Sequence, residues 1–348
     1  MTPIAPEQGA GLLLLNLGTP DAPTKAAVRP YLAQFLTDPY VVDIPAPLRY
    51  ALVYGLILPR RAAASAAAYA TIWTDRGSPL RFHTEDLARR AAERTGWPTA
   101  VGMRYGNPSL RDAAARLAEA GCQRVVVFPL FPQYAESSWR TGVEAAERAL
   151  RTAGLRPLVV APYYEDPRLL ACLAAQVRAV TDGFAADRLL MSFHGLPVRH
   201  VRRTDHSPQP RCLIDADCCA TMVDANRDCY RAQCFATARS LAAVLGLPSG
   251  DFEVAFQSRL GRTPWIGPST DQRVVALARE GCRRLAVVCP SFPTDCLETL
   301  EEIGERAAAE FRACGGEELR LVPALNSAPQ WADAVATMAR ERLASAAK

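Results

Sequence analysis

The sequence predicts an α/β fold of two similar lobes, each a doubly wound, Rossmann-like parallel sheet. Three observations predict it. Short continuous apolar runs alternate with amphipathic helical stretches, the pattern of parallel strands covered on both faces. The two halves of the chain echo each other at an interval of about 160 to 175 residues. At 348 residues there is chain enough for two cores of about 150 residues each. The division is expected near residue 160, with one α/β lobe over 1–160 and a second over 161–348.

The elements follow in order. Residues 1–10 contain no Lys or Arg, and the apolar run 12–15 is too short for a signal peptide and leads straight into a turn, so no export signal is expected. Leu13-Leu14-Leu15-Asn16-Leu17 reads as a buried strand, and Gly18-Thr19-Pro20 as its turn. In the segment 41–60, the apolar stretch 51–59 is far short of the ~20 residues of a spanning helix. Flanked by Arg49, Arg60 and Arg61, it reads either as a helix packed on the core or as an apolar lip for a flat hydrophobic ligand or a membrane interface. Residues 110–120 form an amphipathic helix closed by Gly121, followed by the strand 124–128.

The second lobe repeats the scheme. Leu189-Leu190-Met191-Ser192-Phe193-His194-Gly195-Leu196-Pro197 answers to residues 13–20, with His194 as an added residue at the strand end. The helix 271–280, Gly281 and the strand leading to Cys289-Pro290-Ser291-Phe292-Pro293 answer to 110–132. Ligands of such folds bind beyond the carboxyl ends of the strands, so chemistry is expected there.

Composition narrows the function. The net charge of +4 is dispersed among Arg, Asp and Glu, with 49% apolar residues, which argues against a nucleic-acid partner. Five of the eleven cysteines, Cys212, Cys218, Cys219, Cys229 and Cys234, crowd into an insertion at about 203–234. Thiols at this density form disulfides in an oxidising compartment or hold a metal or iron–sulfur cluster in a reducing one. Cys172, Cys282 and Cys289 occupy ordinary core or helix positions, which favours the reducing reading and a cytoplasmic protein, soluble or peripheral to the membrane. His200 and His206 lie in a polar loop and read as exposed. After Pro293 comes the acidic run Asp295-Cys296-Leu297-Glu298-Thr299-Leu300-Glu301-Glu302. Glu298 and Glu302, four apart, share one helical face, either as a solvated first turn or, with His194 at the same sheet edge, as a site for a borderline divalent metal such as Fe(II).

Seven segments in register resemble the ferrochelatase family: residues 15–20, Gly102-Met103-Arg104-Tyr105, Phe131-Pro132-Gln133-Tyr134, residues 192–197, Phe256-Gln257-Ser258-Arg259, Pro264-Trp265-Ile266-Gly267-Pro268 and residues 295–300. The resemblance spans about residues 11 to 331 and implies a chelatase-like two-lobed fold. It also implies insertion of Fe(II) into protoporphyrin IX to give haem, with release of two protons, so that porphyrin and ferrous iron are the substrates. By the same resemblance His194 abstracts pyrrole protons or ligates the incoming iron, Glu298 is the facing carboxylate, and Glu302 extends a polar path from it. Arg104 and Tyr105 form a pair at the pocket, with Arg104 on a propionate or the metal path. Leu17, Tyr134, Trp265 and Phe292 stand at substrate-binding positions. Coproporphyrin-using members tend to carry a tyrosine where this chain has Leu17, which tilts the expectation to protoporphyrin. Asp295-Cys296-Leu297-Glu298 lacks the second histidine of many animal members and looks like the bacterial form.

Some ferrochelatases hold a [2Fe–2S] cluster, often in a C-terminal extension. This chain reads as having none after 346–348, and its five internal cysteines resemble the arrangement of a bacterial subgroup, with four of the five as ligands. Cys212, Cys229 and Cys234 are favoured, with Cys219 ahead of Cys218. Zinc or unligated thiols remain open. Rival readings are a non-catalytic porphyrin or haem carrier, an iron–sulfur redox sensor, and a cobalt or nickel chelatase of related fold.

Overall fold

The structure, a computed structural model, describes residues 7–346 except 249, 260 and 262. Residues 1–6, which bear on the absence of an export signal, and 347–348 lie outside the described residues. The chain separates into two compact units. One comprises the chain up to Phe131, Glu136–Ala161 and the chain from Asn326; the other comprises Pro132–Ala135 and Pro162–Leu325. The single division at residue 160 expected from sequence therefore becomes a division with two exchanged pieces, the short 132–135 segment and the C-terminal helix.

In the first unit the strands β1 (Ala10–Thr19), β2 (Thr99–Gly106), β3 (Arg124–Pro129) and β4 (Arg156–Val159) form a parallel sheet in the order β2-β1-β3-β4. In the second, β5 (Arg188–His194), β6 (Phe252–Gln257), β7 (Arg284–Val288) and β8 (Glu318–Leu321) repeat it as β6-β5-β7-β8. The echo in the sequence pairs β1 with β5 and β3 with β7, the two central strands of each sheet. In this order the direction in which successive strands are added reverses between β1 and β3, and again between β5 and β7, which makes those two crevices the places where such folds bind ligands.

Strand alternation explains why β1 is apolar throughout. Leu13 and Leu15 pack with Val125, Val127 and the helices Leu110–Glu119 and Thr141–Thr152. Leu12 and Leu14 point to the opposite face, where the helices Pro79–Thr95 and Pro329–Ser345 lie. All four leucines are fully buried, each contributing about 1.5–3 kcal/mol. Trp331 on the last helix is likewise buried, its ring 6.1 Å from Phe128 of β3. In the second unit Leu190, Leu285 and Val287 meet Val274, Leu277, Ile303 and Phe311 on one face. Phe256 of β6 meets Phe235 of the helix Tyr230–Leu245 at 6.2 Å.

The segment 41–60 is helical in two pieces, Ala46–Leu52 and Leu58–Ile72, joined by a wide π-helical turn Val53–Ile57. Its inner side packs Val53 and Leu58 on Ala33 and Leu36. Its outer side leaves Leu48, Tyr50, Tyr54 and Leu56 between 46% and 62% exposed, with the two tyrosine rings stacked. Arg49 is buried and donates to the carbonyls of Val42 and Ile44, so it ties the segment down rather than flanking it in solvent.

Candidate active site

In the second unit β5 ends at His194, beside the β5/β7 crevice. The next residue must be glycine: a Cβ on Gly195 would stand 2.7 Å from Gln257 O and 3.2 Å from the Trp265 ring. The Gly195 N–H instead donates to Gln257 O at 2.7 Å. His194 Nδ1 lies 2.5 Å from Gly195 O. A carbonyl only accepts, so in the neutral ring Nδ1 carries the proton and Nε2 keeps its lone pair.

Beneath the histidine runs a buried polar ladder. Ser192 Oγ donates to Gln257 Oε1 at 2.7 Å and lies 2.8 Å from Thr270 Oγ1. Gln257 Nε2 donates to Glu298 O at 2.6 Å. Gln257 thus holds both the strand end and the acidic segment, a role its place in a strand did not advertise beyond being a polar residue in an apolar run.

The acidic run is not the regular α-helix expected from sequence. A single α turn, Leu297–Thr299, opens into a π-helical stretch, Leu300–Ala307, a departure that recurs at functional sites. Asp295 is buried at its base, where its carboxylate accepts from Thr299 Oγ1 at 2.9 Å and from Ala324 N at 3.3 Å. Glu302 is buried and accepts from Ser258 N at 2.8 Å and from Ser258 Oγ at 2.5 Å. Burial holds the Glu302 carboxyl above the usual carboxylate range; the Ser258 hydrogen bonds oppose this, the Glu298 charge adds to it, and His194 pulls the other way. His194, Glu298 and Glu302 therefore share one electrostatic neighbourhood. Arg306 lies 3.6 Å from Glu301 and 3.7 Å from Glu302, and Glu301 is the more exposed of the two.

Phe292 is half-buried with its ring 6.2 Å from the His194 imidazole. Trp265 is half-buried and bridged to Pro197 across the same strand end. Tyr134, which the sequence puts in the first lobe, belongs to the second unit, where its N–H donates to Gln233 Oε1 at 2.6 Å. His200, expected to be exposed, is buried in the short helix Val198–Arg202. His206 is partly exposed as expected and lies 2.8 Å from Asp228.

In the first unit Leu17 is half-buried near the end of β1. Gly18 follows at φ +118°, where a Cβ would meet Tyr105 O at 1.8 Å, so only glycine lets β1 turn against β2. Arg104 and Tyr105 converge on Asp38, a residue sequence reasoning missed. The Asp38 carboxylate accepts from Arg104 Nη2 at 2.5 Å, Tyr105 Oη at 2.8 Å and Thr141 Oγ1 at 2.7 Å, and Arg104 Nε donates to Thr141 at 2.8 Å. Tyr105 is 1% exposed, and burial together with the Asp38 charge drives its hydroxyl pKa far up. Tyr105 is thus a buried tie, and the Arg104 guanidinium is committed to Asp38 and Thr141.

The cysteine segment keeps its thiols together without a disulfide. Cys219 donates towards Cys229 and Cys229 towards Cys212, and Cys219 Sγ lies 3.8 Å from Cys218 Sγ. Leu213 N–H donates to Cys218 Sγ at 3.4 Å and Arg231 to Cys219 Sγ at 3.2 Å. Cys234 is wholly buried, and burial drives its thiol pKa far up, against the opposing pull of nearby Tyr230 and Ser291. All eleven cysteines are free. Among the described residues no three His, Cys, Asp or Glu side chains are grouped to hold a single metal ion. A two-iron cluster makes a different demand, since each iron takes its own pair of thiolates.

Two parallel sheets of matching order, with a histidine and carboxylates at the switch point of the second, define a chelatase fold. SirB from Bacillus subtilis, solved with Fe3+, shares that fold at TM-score 0.51 and 13% identity over 97% of this chain and 96% of its own. The ferrochelatase family model matches residues 9–343. A ferrochelatase of Azotobacter vinelandii is 50% identical over 338 residues, 94% of this chain and 98% of that one. One from Pseudomonas fluorescens is 48% identical over 331 residues, 94% and 96% of the two chains. The chain belongs to the ferrochelatase family and is a metal chelatase. That membership does not favour the carrier or the cobalt or nickel chelatase readings.

Proposed function

We propose that His194, Glu298 and Glu302 carry out the insertion of Fe(II) into protoporphyrin IX. The observation that carries this reading is the meeting of the three residues at one strand end, where β5 ends on His194, Gln257 beside it donates to Glu298 O, and Ser258 next to Gln257 holds the Glu302 carboxylate. Insertion breaks two pyrrole N–H bonds as the nitrogens bind iron, so two protons must leave. In this reading His194 Nε2 takes a pyrrole proton, Glu298 faces it across the metal's entry, and the buried Glu302, whose carboxyl holds a proton more readily than usual, passes it on. Phe292, Trp265 and Tyr134 of the second unit supply apolar surface for the macrocycle, and the family resemblance gives Leu17 of the first unit a substrate-binding role. Arg104, fixed by Asp38 with Tyr105, lends positive charge for a propionate or orders the metal path. Anaerobic incubation of the purified protein with Fe(II) and protoporphyrin is expected to replace the porphyrin visible spectrum with that of haem. A porphyrin spectrum that binding alters but iron does not would overturn the reading.

The cysteine segment suits a [2Fe–2S] cluster, since its thiols are adjacent and sulfurs of Cys218 and Cys219 already accept N–H donors, as cluster thiolates do. The thiol contacts favour Cys212, Cys218, Cys219 and Cys229 as the four ligands, with Cys234 engaged elsewhere. A cluster there supplies a cross-link within the inserted segment and a one-electron couple. The expected protein is reddish-brown, with about two irons and two acid-labile sulfides per chain. Cys234→Ser should keep that content and Cys229→Ser should lose it. Protein expressed with ample iron, purified without oxygen, and found to hold zinc and no sulfide would sink the cluster while leaving iron insertion untouched.

Localisation in the cytoplasm fits the free thiols. No helix among the described residues is long and apolar enough to cross a membrane. The exposed face of Leu48, Tyr50, Tyr54 and Leu56 supports a peripheral contact, either with the porphyrin or with the inner face of the membrane.

A further inference from the structure

The polar ladder below His194 is enclosed by apolar strand. Ser192 and Thr270 are wholly buried and Gln257 is 2% exposed, among Met191, Phe193, Ala255 and Phe256 of β5 and β6, all buried as well. Hydrogen bonds between buried polar side chains add little net stability, and apolar groups of the same shape would fill such a core as well. The amide of Gln257 therefore needs a reason other than burial. Its bonds fix which way it points. Nε2 donates to Glu298 O at 2.6 Å, and a carbonyl only accepts. Oε1 then faces Ser192 Oγ at 2.7 Å and Cys289 Sγ at 3.5 Å, both of which donate to it. Ser192, its proton spent on Gln257, accepts from Thr270 Oγ1 at 2.8 Å. Every link runs one way, from Thr270 through Ser192 and Gln257 to Glu298.

The backbone and the side chain of Gln257 do separate things. The backbone pairs with His194 across β5 and β6, and its carbonyl takes the Gly195 N–H at 2.7 Å; both survive any change of side chain. Glu302 is held by the next residue, through Ser258 N and Oγ. Of the three residues at this strand end, only Glu298 is reached by the Gln257 amide, and it is reached in the single α turn Leu297–Thr299 that precedes the π-helical stretch.

We propose that the Gln257 side chain is a positioning residue for metal insertion: through the Glu298 carbonyl it sets where the first turn of the acidic segment, and with it the Glu298 carboxylate, stands relative to His194. The inference rests on the reading of His194 and Glu298 as working together. A displacement of about 1 Å at a reacting group costs up to about 10²-fold in rate.

Gln257→Met keeps the length of the side chain and deletes both polar groups of the amide. Its kcat for haem formation is expected to fall about 10- to 100-fold, with KM for porphyrin, and porphyrin binding followed by fluorescence quenching, within about twofold of the unaltered protein. Because the amide acts through Glu298, the same change should cost nothing further in a Glu298→Gln background, the non-additivity of groups that act as one. Ser192→Ala withdraws the donor that orients Oε1; it should lower kcat about 2- to 10-fold with KM for porphyrin unchanged, and it carries the test if Gln257→Met does not fold. Full kcat in Gln257→Met, or in Ser192→Ala where the first variant does not fold, would overturn the proposal. So would a rise in KM for porphyrin that matches the loss in kcat, or multiplicative losses in the double variant. Full turnover in Glu298→Gln alone is a separate result, which sinks the pairing of His194 with Glu298 and the proposal with it.

Discussion

His194→Ala is expected to abolish haem formation while porphyrin binding, followed by fluorescence quenching, stays within about tenfold of the unaltered protein. Proton transfer by a placed base contributes about 10² to 10⁴-fold, and its loss is not offset by a second histidine, because the acidic segment carries Cys296 where one would stand. Binding should survive because Phe292 and Trp265, held by their own strand-end turns, do not depend on the imidazole for burial. Residual turnover above about 1%, within the lower bound expected of a general base, would remove His194 from the catalytic role.

The second large effect separates two neighbouring carboxylates. Glu298→Gln should lower kcat by about 10²-fold, whereas Glu301→Gln should leave it within about twofold. A regular α-helix would set Glu301 about 100° from Glu302. The actual backbone is π-helical over Leu300–Ala307, and the separation has a different cause: Glu302 is buried and fixed by Ser258, Glu298 shares its field, and Glu301 is the more exposed, 23% against 8%, with Arg306 near both. Equal losses in steady-state assays of the two variants would mean that the Glu298 and Glu302 carboxylates are not the working face.

The parallel sheets and their repeat were legible because a strand buried on both faces must be apolar at every position, as β1 is over residues 12–15. The end of β5 was legible for the same reason, since a histidine directly after such a run can only stand at the sheet edge. The π-helical turns were not, because the apolar positions Leu297, Leu300 and Ile303 suit an α-helical face equally well. Asp38 was hidden because an Asp before a proline reads as an ordinary turn residue, and only the fold brings it to Arg104 and Tyr105. His200 misled by its polar neighbours: the loop is polar in sequence, but one turn of helix turns that ring inward.

The helix Pro329–Ser345 has a consequence for how the protein is made. It covers the face of the first sheet opposite the Leu110–Glu119 helix, with Trp331 against Phe128 and with Arg342 Nε donating to Val159 O at 2.7 Å. On a ribosome, β1 to β4 emerge long before this cover exists, and the intervening chain 162–325 is a compact unit that can close as soon as it is complete. The natural order of assembly is therefore inverted relative to synthesis: the second unit matures first, and the first must wait, with part of its apolar sheet exposed, for the last stretch of chain to arrive. A nascent chain stalled before residue 329 leaves that part of the sheet face open to chaperones and to its own neighbours, which raises its risk of aggregation.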